Sequence, residues 1–252
     1  MNAFTRLTKI TLFPLYFLIH RNIFFGFFHK YLIKNFNFKG FKIKLEIDNI
    51  PLSNYSSFLF NTYEYNDRIL VEKYIDKKNK CIIIGGGIGF IAVLAYHKSL
   101  QSIMVSEINK KILKNLENSL SYNNCKFKII KENLVIGPLK KKQSIFYLHK
   151  NFISTSKFIN DKNTEQICKV KNINIKKIKN IKSFNTLVID GEGIEEYFIK
   201  NISKLKHIKY IIFELHHNIL NKQKVKNLFN ILNSNKFKKI DNCFNSYYFK
   251  KI

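Results

Sequence analysis

Acidic residues are the most informative groups that could do chemistry here, because the sequence has only 17 Asp and Glu against 44 Lys and Arg. Four of these acids fall within seven residues, at Asp190, Glu192, Glu195 and Glu196. Carboxylates so close together repel one another, which tends to raise the pKa of at least one of them. Such a group could act as a general base near neutral pH or form part of a metal site. Glu195 and Glu196 also suit the first turn of a helix, where the helix dipole favours acids.

Glycine is equally concentrated, since four of the nine glycines form one cluster, Gly85, Gly86, Gly87 and Gly89. The cluster follows the apolar run Cys81–Ile84, which is typical of a strand buried on both faces. It precedes an apolar segment with helical spacing, residues 90–98. This order brings backbone N–H groups and a helix N-terminus to a ligand. No Gly-Lys-Ser/Thr follows, which excludes a P-loop. The G-x-G-x-G spacing is typical of nucleoside-binding turns, although a tight strand-to-helix turn would also explain it.

Two further polar residues follow predicted strands downstream of the glycine cluster. Glu107 stands 18 residues after its last glycine, at the end of the predicted strand 102–105. An acid at that place can accept hydrogen bonds from both ribose hydroxyls, although a solvated glutamate at a strand end is the simpler alternative. Asn133 follows the predicted strand 126–130, where a side chain can contact an adenine edge.

A third group of polar residues follows the predicted strand 210–213, namely Glu214, His216 and His217. Because the carboxyl ends of parallel strands lie at the same edge of a sheet, this group should lie near Asp190. One of the histidines could serve as a base, while polar loop residues are the simpler interpretation.

The elements that must position these residues alternate between strand and helix. The remaining predicted strands are 41–47 and 186–189, and the helices are 67–76, 90–98, 109–122, 195–205 and 222–233. A hairpin is predicted near 144–148, and two short strands, 236–240 and 246–251, at the C-terminus. This alternation predicts an α/β fold with a doubly wound, mostly parallel sheet and a C-terminal antiparallel hairpin. Residues 1–55 are assigned to an apolar, basic extension with a short strand, and 56–252 to the main domain.

Composition restricts the class of protein and its partners. With 46% hydrophobic residues, the 252-residue chain is too apolar to be disordered despite a net charge of +27. Only three of the 44 basic residues are arginine. The lysines are spread along the whole chain, as an AT-rich coding genome would produce. The charge favours anionic surfaces in general without choosing among nucleic acid, lipid and glycan.

The cysteines and the N-terminus predict the compartment. The four cysteines are too far apart for a CxxC or a metal-spaced pair, which favours reduced thiols in a cytoplasm. The apolar run 11–19 is about half of what a bilayer span needs, and no small-residue cleavage site follows it. Residues 4–28 are therefore expected either to pack on the domain or to contact the inner face of a membrane peripherally.

The motifs resemble those of the FkbM-type methyltransferases, which are S-adenosylmethionine-dependent O-methyltransferases of the Rossmann-like class I fold. The resemblance covers about residues 60–215 and rests on N-T-Y-E (61–64), C-I-I-I-G-G-G-I-G-F (81–90), V-S-E-I-N (105–109), L-V-I-D-G-E-G-I-E-E (187–196) and I-I-F-E-L (211–215). The D-x-E-G-x-E element is its most specific part. One departure is Ile83, where the family commonly has an Asp that helps to hold the amino group of the cofactor.

The resemblance implies S-adenosylmethionine as cofactor and a role for each matching residue. Glu64, the glycine cluster, Glu107 and Asn133 would bind the cofactor, and Asp190 would border the transferred methyl group. Asp190 is the first choice for the catalytic base and His216 the second, with Glu192 and Glu195 towards the substrate. No metal ion is assigned to the site.

The acceptor implied by the resemblance is a sugar or glycan hydroxyl. One alternative is a nucleic-acid methyltransferase, which the charge favours but the scarcity of arginine and the absence of an Asn/Asp-Pro-Pro-Tyr motif disfavour. A second alternative is a non-catalytic Rossmann-like binding module, supported only by Ile83. A dehydrogenase is disfavoured because no substrate domain is recognisable. The oligomeric state is not predicted.

Overall fold

The computed structural model describes residues 23–32, 35–45, 50–137, 139, 141–149, 155–156, 164–191, 193–216 and 221–252. Glu192 and His217 lie outside these ranges. The strands in chain order are β1 (Asn35–Phe38), β2 (Phe41–Lys44), β3 (Cys81–Ile84), β4 (Ile103–Ser106), β5 (Phe127–Ile130), β6 (Asn133–Val135), β7 (Gln143–His149), β8 (Thr155–Ser156), β9 (Thr164–Asn174), β10 (Thr186–Ile189), β11 (Tyr210–Glu214), β12 (Phe237–Cys243) and β13 (Ser246–Lys251).

The helices lie between these strands, and most follow the predicted spans. They are α1 (Ile23–Leu32), α2 (Leu52–Leu59), α3 (Tyr65–Tyr74), α4 (Phe90–Ser99), α5 (Lys110–Tyr122), α6 (Glu195–Lys200) and α7 (Lys222–Ser234). The predicted helix 195–205 was too long, because the chain turns after α6 and continues as a short 3-10 helix, Ile202–Lys204.

Seven strands form the main sheet, in the order β12-β13-β11-β10-β3-β4-β5. The five strands from β11 to β5 pair in parallel, whereas β13 pairs antiparallel with both β11 and β12. The order turns back between β3 and β10, which places a topological switch point at the carboxyl ends of these two strands. The prediction of a Rossmann-like class I methyltransferase fold with a C-terminal antiparallel hairpin is confirmed.

The continuous apolar runs form central strands because both faces of the sheet are covered. In β3 all four residues are buried, and alternate side chains enter different cores. Cys81 and Ile83 pack in the core that also contains Phe90 of α4, while Ile82 and Ile84 pack in the core that contains Phe198 of α6. Alternation of side chains across a strand explains this division.

A second, four-stranded sheet follows β5 in the chain, in the order β6-β9-β7-β8. The hairpin predicted near 144–148 is wrong in its extent, because these residues form one continuous strand, β7, which pairs antiparallel with β8 and β9. Asn133, which was expected to follow a strand end as a loop residue, begins β6 and pairs with Asn172 of β9.

The N-terminal region has more regular structure than its weak patterning indicated. It contains α1 and β1, neither of which was assigned a span from the sequence. Only residues 41–44 of the predicted strand 41–47 are seen as strand, and 46–49 lie outside the described residues. Phe36, Phe38 and Ile43 of the β1–β2 hairpin are buried in the same core as α4. The boundary at residue 55 stays a prediction, although this hairpin shares its core with the main domain. Among the described residues, none of the helices is both long and apolar enough to span a membrane.

Candidate functional site

The glycine cluster forms the turn from β3 into α4 and requires glycine at its first position. Gly85 has a φ of 84°, and a Cβ there would lie 1.8 Å from the carbonyl oxygen of Asp190. Asp190 N–H in turn donates to the Ile84 carbonyl (3.0 Å). Because the two strand ends are this close, only a residue without a side chain can pass between them.

Glu107 follows β4 and its carboxylate is bound by the glycine turn. Its Oε2 accepts from Gly87 N–H (2.9 Å) and its Oε1 from Asn109 N–H (2.7 Å). The residue is only 5% exposed, and this burial raises the pKa of its carboxyl although the backbone N–H groups lower it. Each carboxylate oxygen can accept a further hydrogen bond. The predicted proximity of Glu107 to the glycine cluster is therefore seen in the structure.

Glu64 reaches the same turn from the other side. It precedes α3 in a left-handed conformation, with a φ of 46°, which is uncommon for a residue with a side chain. A Cβ at Gly87 would lie 3.6 Å from Glu64 Oε1. Burial raises the pKa of Glu64 to about 8, and the neighbouring Asp67 carboxylate adds to the rise.

The side chain of Ile83 is buried in the core on one face of the sheet. Two carboxylates lie against Gly87 instead, that of Glu107 and that of Glu64, which stands on a segment that precedes the strand.

Asp190 and His216, the two predicted catalytic residues, are brought together at the switch point. His216 Nε2 lies 3.7 Å from Asp190 Oδ1. The side chains are 30% exposed for Asp190 and 20% for His216, so solutes can reach both. The pKa of Asp190 is raised well above its usual range, first by desolvation and then by the carboxylates of Glu214 and Asp67.

Glu195 is the first residue of α6, as the helix-turn interpretation predicted, and its carboxylate does not face outwards. Its side chain is only 1% exposed, and its Oε1 and Oε2 accept from the N–H groups of Gly191 (3.0 Å) and Gly193 (2.7 Å). Glu195 Oε1 also lies 3.5 Å from His216 Nδ1. These contacts hold the loop after β10, so the structure gives Glu195 backbone partners and no open path to a substrate.

Asn133 takes part in a polar cluster of the second sheet. Its Nδ2 donates to Asn172 Oδ1 (2.7 Å) and to Ser144 Oγ (3.3 Å). Ser144 Oγ also donates to Asn172 Oδ1 (2.8 Å). The side-chain amide that was expected to contact adenine is thus engaged with β7 and β9.

Asp67 was missed as a site residue. It lies in the first turn of α3, is only 3% exposed and faces the charges of Glu214 and His216. Burial and the Glu214 carboxylate raise its pKa to about 7. A signal was available in the sequence, because Leu70 and Val71 stand three and four residues later and are both buried. Asp67 therefore shares their apolar helix face, where an acid is unusual.

Comparison with known proteins gives similarity in structure only. No protein-family model matches the chain, and no curated protein matches it in sequence. A methyltransferase from Pyrococcus furiosus is 14% identical with a TM-score of 0.48, over 89% of this chain and 95% of that chain. TYW2 from P. horikoshii in complex with MeSAdo is 10% identical, with a TM-score of 0.46, over 85% of this chain and 68% of that chain.

A precorrin-6y C5,15-methyltransferase from Geobacter metallireducens is also similar, at 10% identity and a TM-score of 0.43 over 72% of this chain and 84% of that chain.

Proposed function

We propose that the chain is an S-adenosylmethionine-dependent O-methyltransferase of FkbM type that acts on a sugar or glycan hydroxyl. One observation carries the proposal: the glycine turn, the Glu107 carboxylate on it and the Asp190–His216 pair meet at the carboxyl edge of the sheet, at its switch point. Ligands of open α/β sheets bind at that place.

The residues of the turn suit the two ends of the cofactor. Glu107 is held by two backbone N–H groups, and its remaining acceptor capacity matches a pair of ribose hydroxyls. Glu64 lies against Gly87 and would pair with the ammonium group, in place of the acid that position 83 lacks. When bound, the cofactor supplies an activated methyl group on a sulfonium.

Asp190 would take the proton of the acceptor hydroxyl. The raised pKa of its carboxyl makes the ionised form a stronger base than an ordinary aspartate. His216 Nε2 lies 3.7 Å away and would orient the carboxylate or share its proton. Both groups are partly exposed, as a residue that meets a substrate must be.

The charge of the site also fits a cationic cofactor. Asp67, Asp190 and Glu195 form no ion pair with any lysine or arginine of the described residues, although the chain carries 44 such residues. A ligand with two positive centres would relieve the repulsion among these carboxylates.

Calorimetric titration of the purified chain with S-adenosylmethionine and S-adenosylhomocysteine tests the cofactor assignment. We expect micromolar binding of both and a loss of at least about tenfold for Glu107→Ala, because one charge-assisted hydrogen bond contributes about 1.5–3 kcal/mol. Glu117→Ala is the matched control, since Glu117 lies on the outer surface of α5 and pairs with Lys131. Folded wild-type protein that binds neither compound would overturn the proposal.

Transfer of a labelled methyl group to bacterial surface sugars tests the acceptor. We expect incorporation by the wild type and a loss of about 100-fold for Asp190→Asn, a typical contribution of a general base. Incorporation into oligonucleotides but not sugars would favour the nucleic-acid alternative, and cofactor binding without transfer to either would favour a binding module.

A further inference from the structure

Three residues at the carboxyl ends of two adjacent strands offer ligand atoms to a single point. Asp190 follows β10 directly, Glu214 is the last residue of β11, and His216 stands two residues later. One oxygen or nitrogen from each lies within 4.8 Å of the other two. The parallel pairing of β10 with β11 fixes their backbones side by side.

The separations are close to those of a coordinated ion. Ligand atoms bound at about 2.1 Å lie about 3 Å apart at right angles and about 4.2 Å apart when opposite. The 3.7 Å between His216 Nε2 and Asp190 Oδ1 falls within this range. Small rotations of these partly exposed side chains would bring an oxygen of Glu214 to the same distance from the other two ligand atoms.

The groups behind the ligands are arranged to orient them. Glu214 Oε1 accepts from Asn245 Nδ2 (2.6 Å), and Asn245 Oδ1 accepts from Asn66 Nδ2 (2.7 Å). On the other side, His216 Nδ1 lies 3.5 Å from the buried Glu195 Oε1. A histidine that ligates a metal commonly directs its second nitrogen to a carboxylate, which fixes the tautomer and leaves the other nitrogen for the ion.

An independent observation comes from Asp67. This residue is 3% exposed, and its Oδ1 has no hydrogen-bond partner within the described part of the chain. The Ser246 hydroxyl also acts on this carboxylate, but neither its Oγ nor Asp67 Oδ1 has a hydrogen-bond partner among the described residues. Glu214, His216 and Glu195 are groups whose charges act on it. A buried carboxylate that faces other carboxylates is costly unless a positive charge compensates it.

We propose that Asp190, Glu214 and His216 bind a divalent cation of the Mn²⁺ type, with the Asp67 carboxylate supplying further negative charge behind it. Two carboxylates and one imidazole suit ions that accept both oxygen and nitrogen ligands. Three protein ligands leave coordination positions open to water or to a hydroxyl of a substrate.

The role of this ion in methyl transfer rests on the proposed function. A hydroxyl bound to a divalent cation loses its proton more readily, and the second Asp190 oxygen stays available to receive that proton. The preferred acceptor would then carry two neighbouring oxygens that can both reach the ion. Binding of the ion itself does not depend on this role.

Manganese titration followed by electron paramagnetic resonance tests the site. Tag-free full chain is dialysed against EDTA and then against metal-free buffer, and Mn²⁺ is added without any cofactor. We expect one bound equivalent and a rise in thermal midpoint with Mn²⁺. Glu214→Gln should weaken binding by at least about tenfold, the lower end of what the loss of even an outer-shell partner costs, while keeping an oxygen for Asn245. Glu117→Gln is the control and should bind as the wild type does.

Circular dichroism establishes that Glu214→Gln is folded, and His216→Gln provides a second variant that should lose the same binding. No bound Mn²⁺ in the folded wild type, or equal binding by the wild type and both site variants, would overturn the proposal. Because no cofactor is present, a failure here is distinct from a failure of the proposed function, which the calorimetric titration measures.

Discussion

At the scale of single residues, the site is defined by carboxylates in a chain that is strongly basic. Glu64, Asp67, Glu107 and Asp190 all have a raised pKa, and burial is the first cause for each. In a protein with a net charge of +27 such acids could easily have found lysine partners. Among the described residues none of these four carboxylates forms an ion pair with lysine or arginine, which supports the proposed ligand-binding role.

Glu64 gives the first prediction, a loss of stability as the pH rises. Its pKa is about 8 in the folded protein, above the value near 4.5 expected when unfolded, so the folded state binds more protons between these values. Asp67 and Glu214 reinforce the shift, while the Tyr63 side chain and the Ile91 backbone N–H oppose it. The contribution of Glu64 to the free energy of unfolding of the ligand-free protein should therefore be fully present below pH 4.5 and should be lost as the pH rises towards about 8.

Urea denaturation across this pH range measures the effect for the wild type and Glu64→Gln. The variant cannot ionise, so the decrease in unfolding free energy between acidic and alkaline pH should become smaller. Glu117→Gln should keep the wild-type pH dependence. Identical slopes for the wild type and Glu64→Gln would show that Glu64 titrates normally.

At the scale of elements, the turn from β3 into α4 determines where the site can form. Gly85 passes against the backbone of Asp190, and Gly89, the residue before α4, has a φ of 95°. The same crossing brings the loop after β10 next to the glycine turn, so one close backbone approach joins the predicted cofactor site to the Asp190–His216 pair.

Gly85→Ala is therefore expected to be severely destabilising. The added methyl group would have to displace backbone at a contact of 1.8 Å, in addition to adopting a positive φ. Gly40→Ala is a matched control, because Gly40 has a similar φ of 87° with nothing within 4 Å of an added Cβ. The free energy of unfolding of the control should fall by about 1 kcal/mol from backbone strain alone. That of Gly85→Ala should fall by several times more.

Thermal and urea unfolding of both glycine variants measure the difference. A loss of stability for Gly85→Ala no larger than that of Gly40→Ala would mean that the turn can move away from Asp190, and the rigid crossing described here would then be wrong.

At the scale of the whole molecule, the net charge of the chain and the charge of the site have opposite signs. The +27 charge is carried almost wholly by lysine and is spread along the chain, whereas the site at the sheet edge is acidic. We therefore expect long-range attraction to polyanions to arise from the surface and the selection of a ligand to arise at the carboxyl edge.

This separation predicts weak binding to polyanions of every kind. A single-stranded oligonucleotide and heparin should bind with similar affinity, and both should be released as salt is raised above about 0.2 M, since released counterions drive the association. Fluorescence anisotropy over a salt series measures both affinities and their dependence on salt. Tight binding of one nucleic-acid sequence that survives high salt would favour the nucleic-acid methyltransferase alternative.

Much of the fold followed from local patterns in the sequence. Runs such as Cys81–Ile84 have no polar residue to face water, so they predicted central strands, and the glycine cluster after β3 predicted the ligand-binding turn. The structure confirmed the strands and the turn as backbone elements, with small shifts at their ends, while ligand binding at the turn stays a prediction. The sequence did not predict α1 or β1, because aromatic residues occur there without a clear period.

Hydrophobic period and glycine placement specify strand, turn and helix, so the residues at the ends of strands could be identified from local patterns. Which of these residues meet depends on the packing of the elements. This packing brought Asp67 of α3 beside Glu214 and His216, turned Glu195 onto its own loop and engaged Asn133 in the second sheet. The physical reason is that such contacts depend on how helices and strands far apart in the chain pack together, which no local pattern encodes.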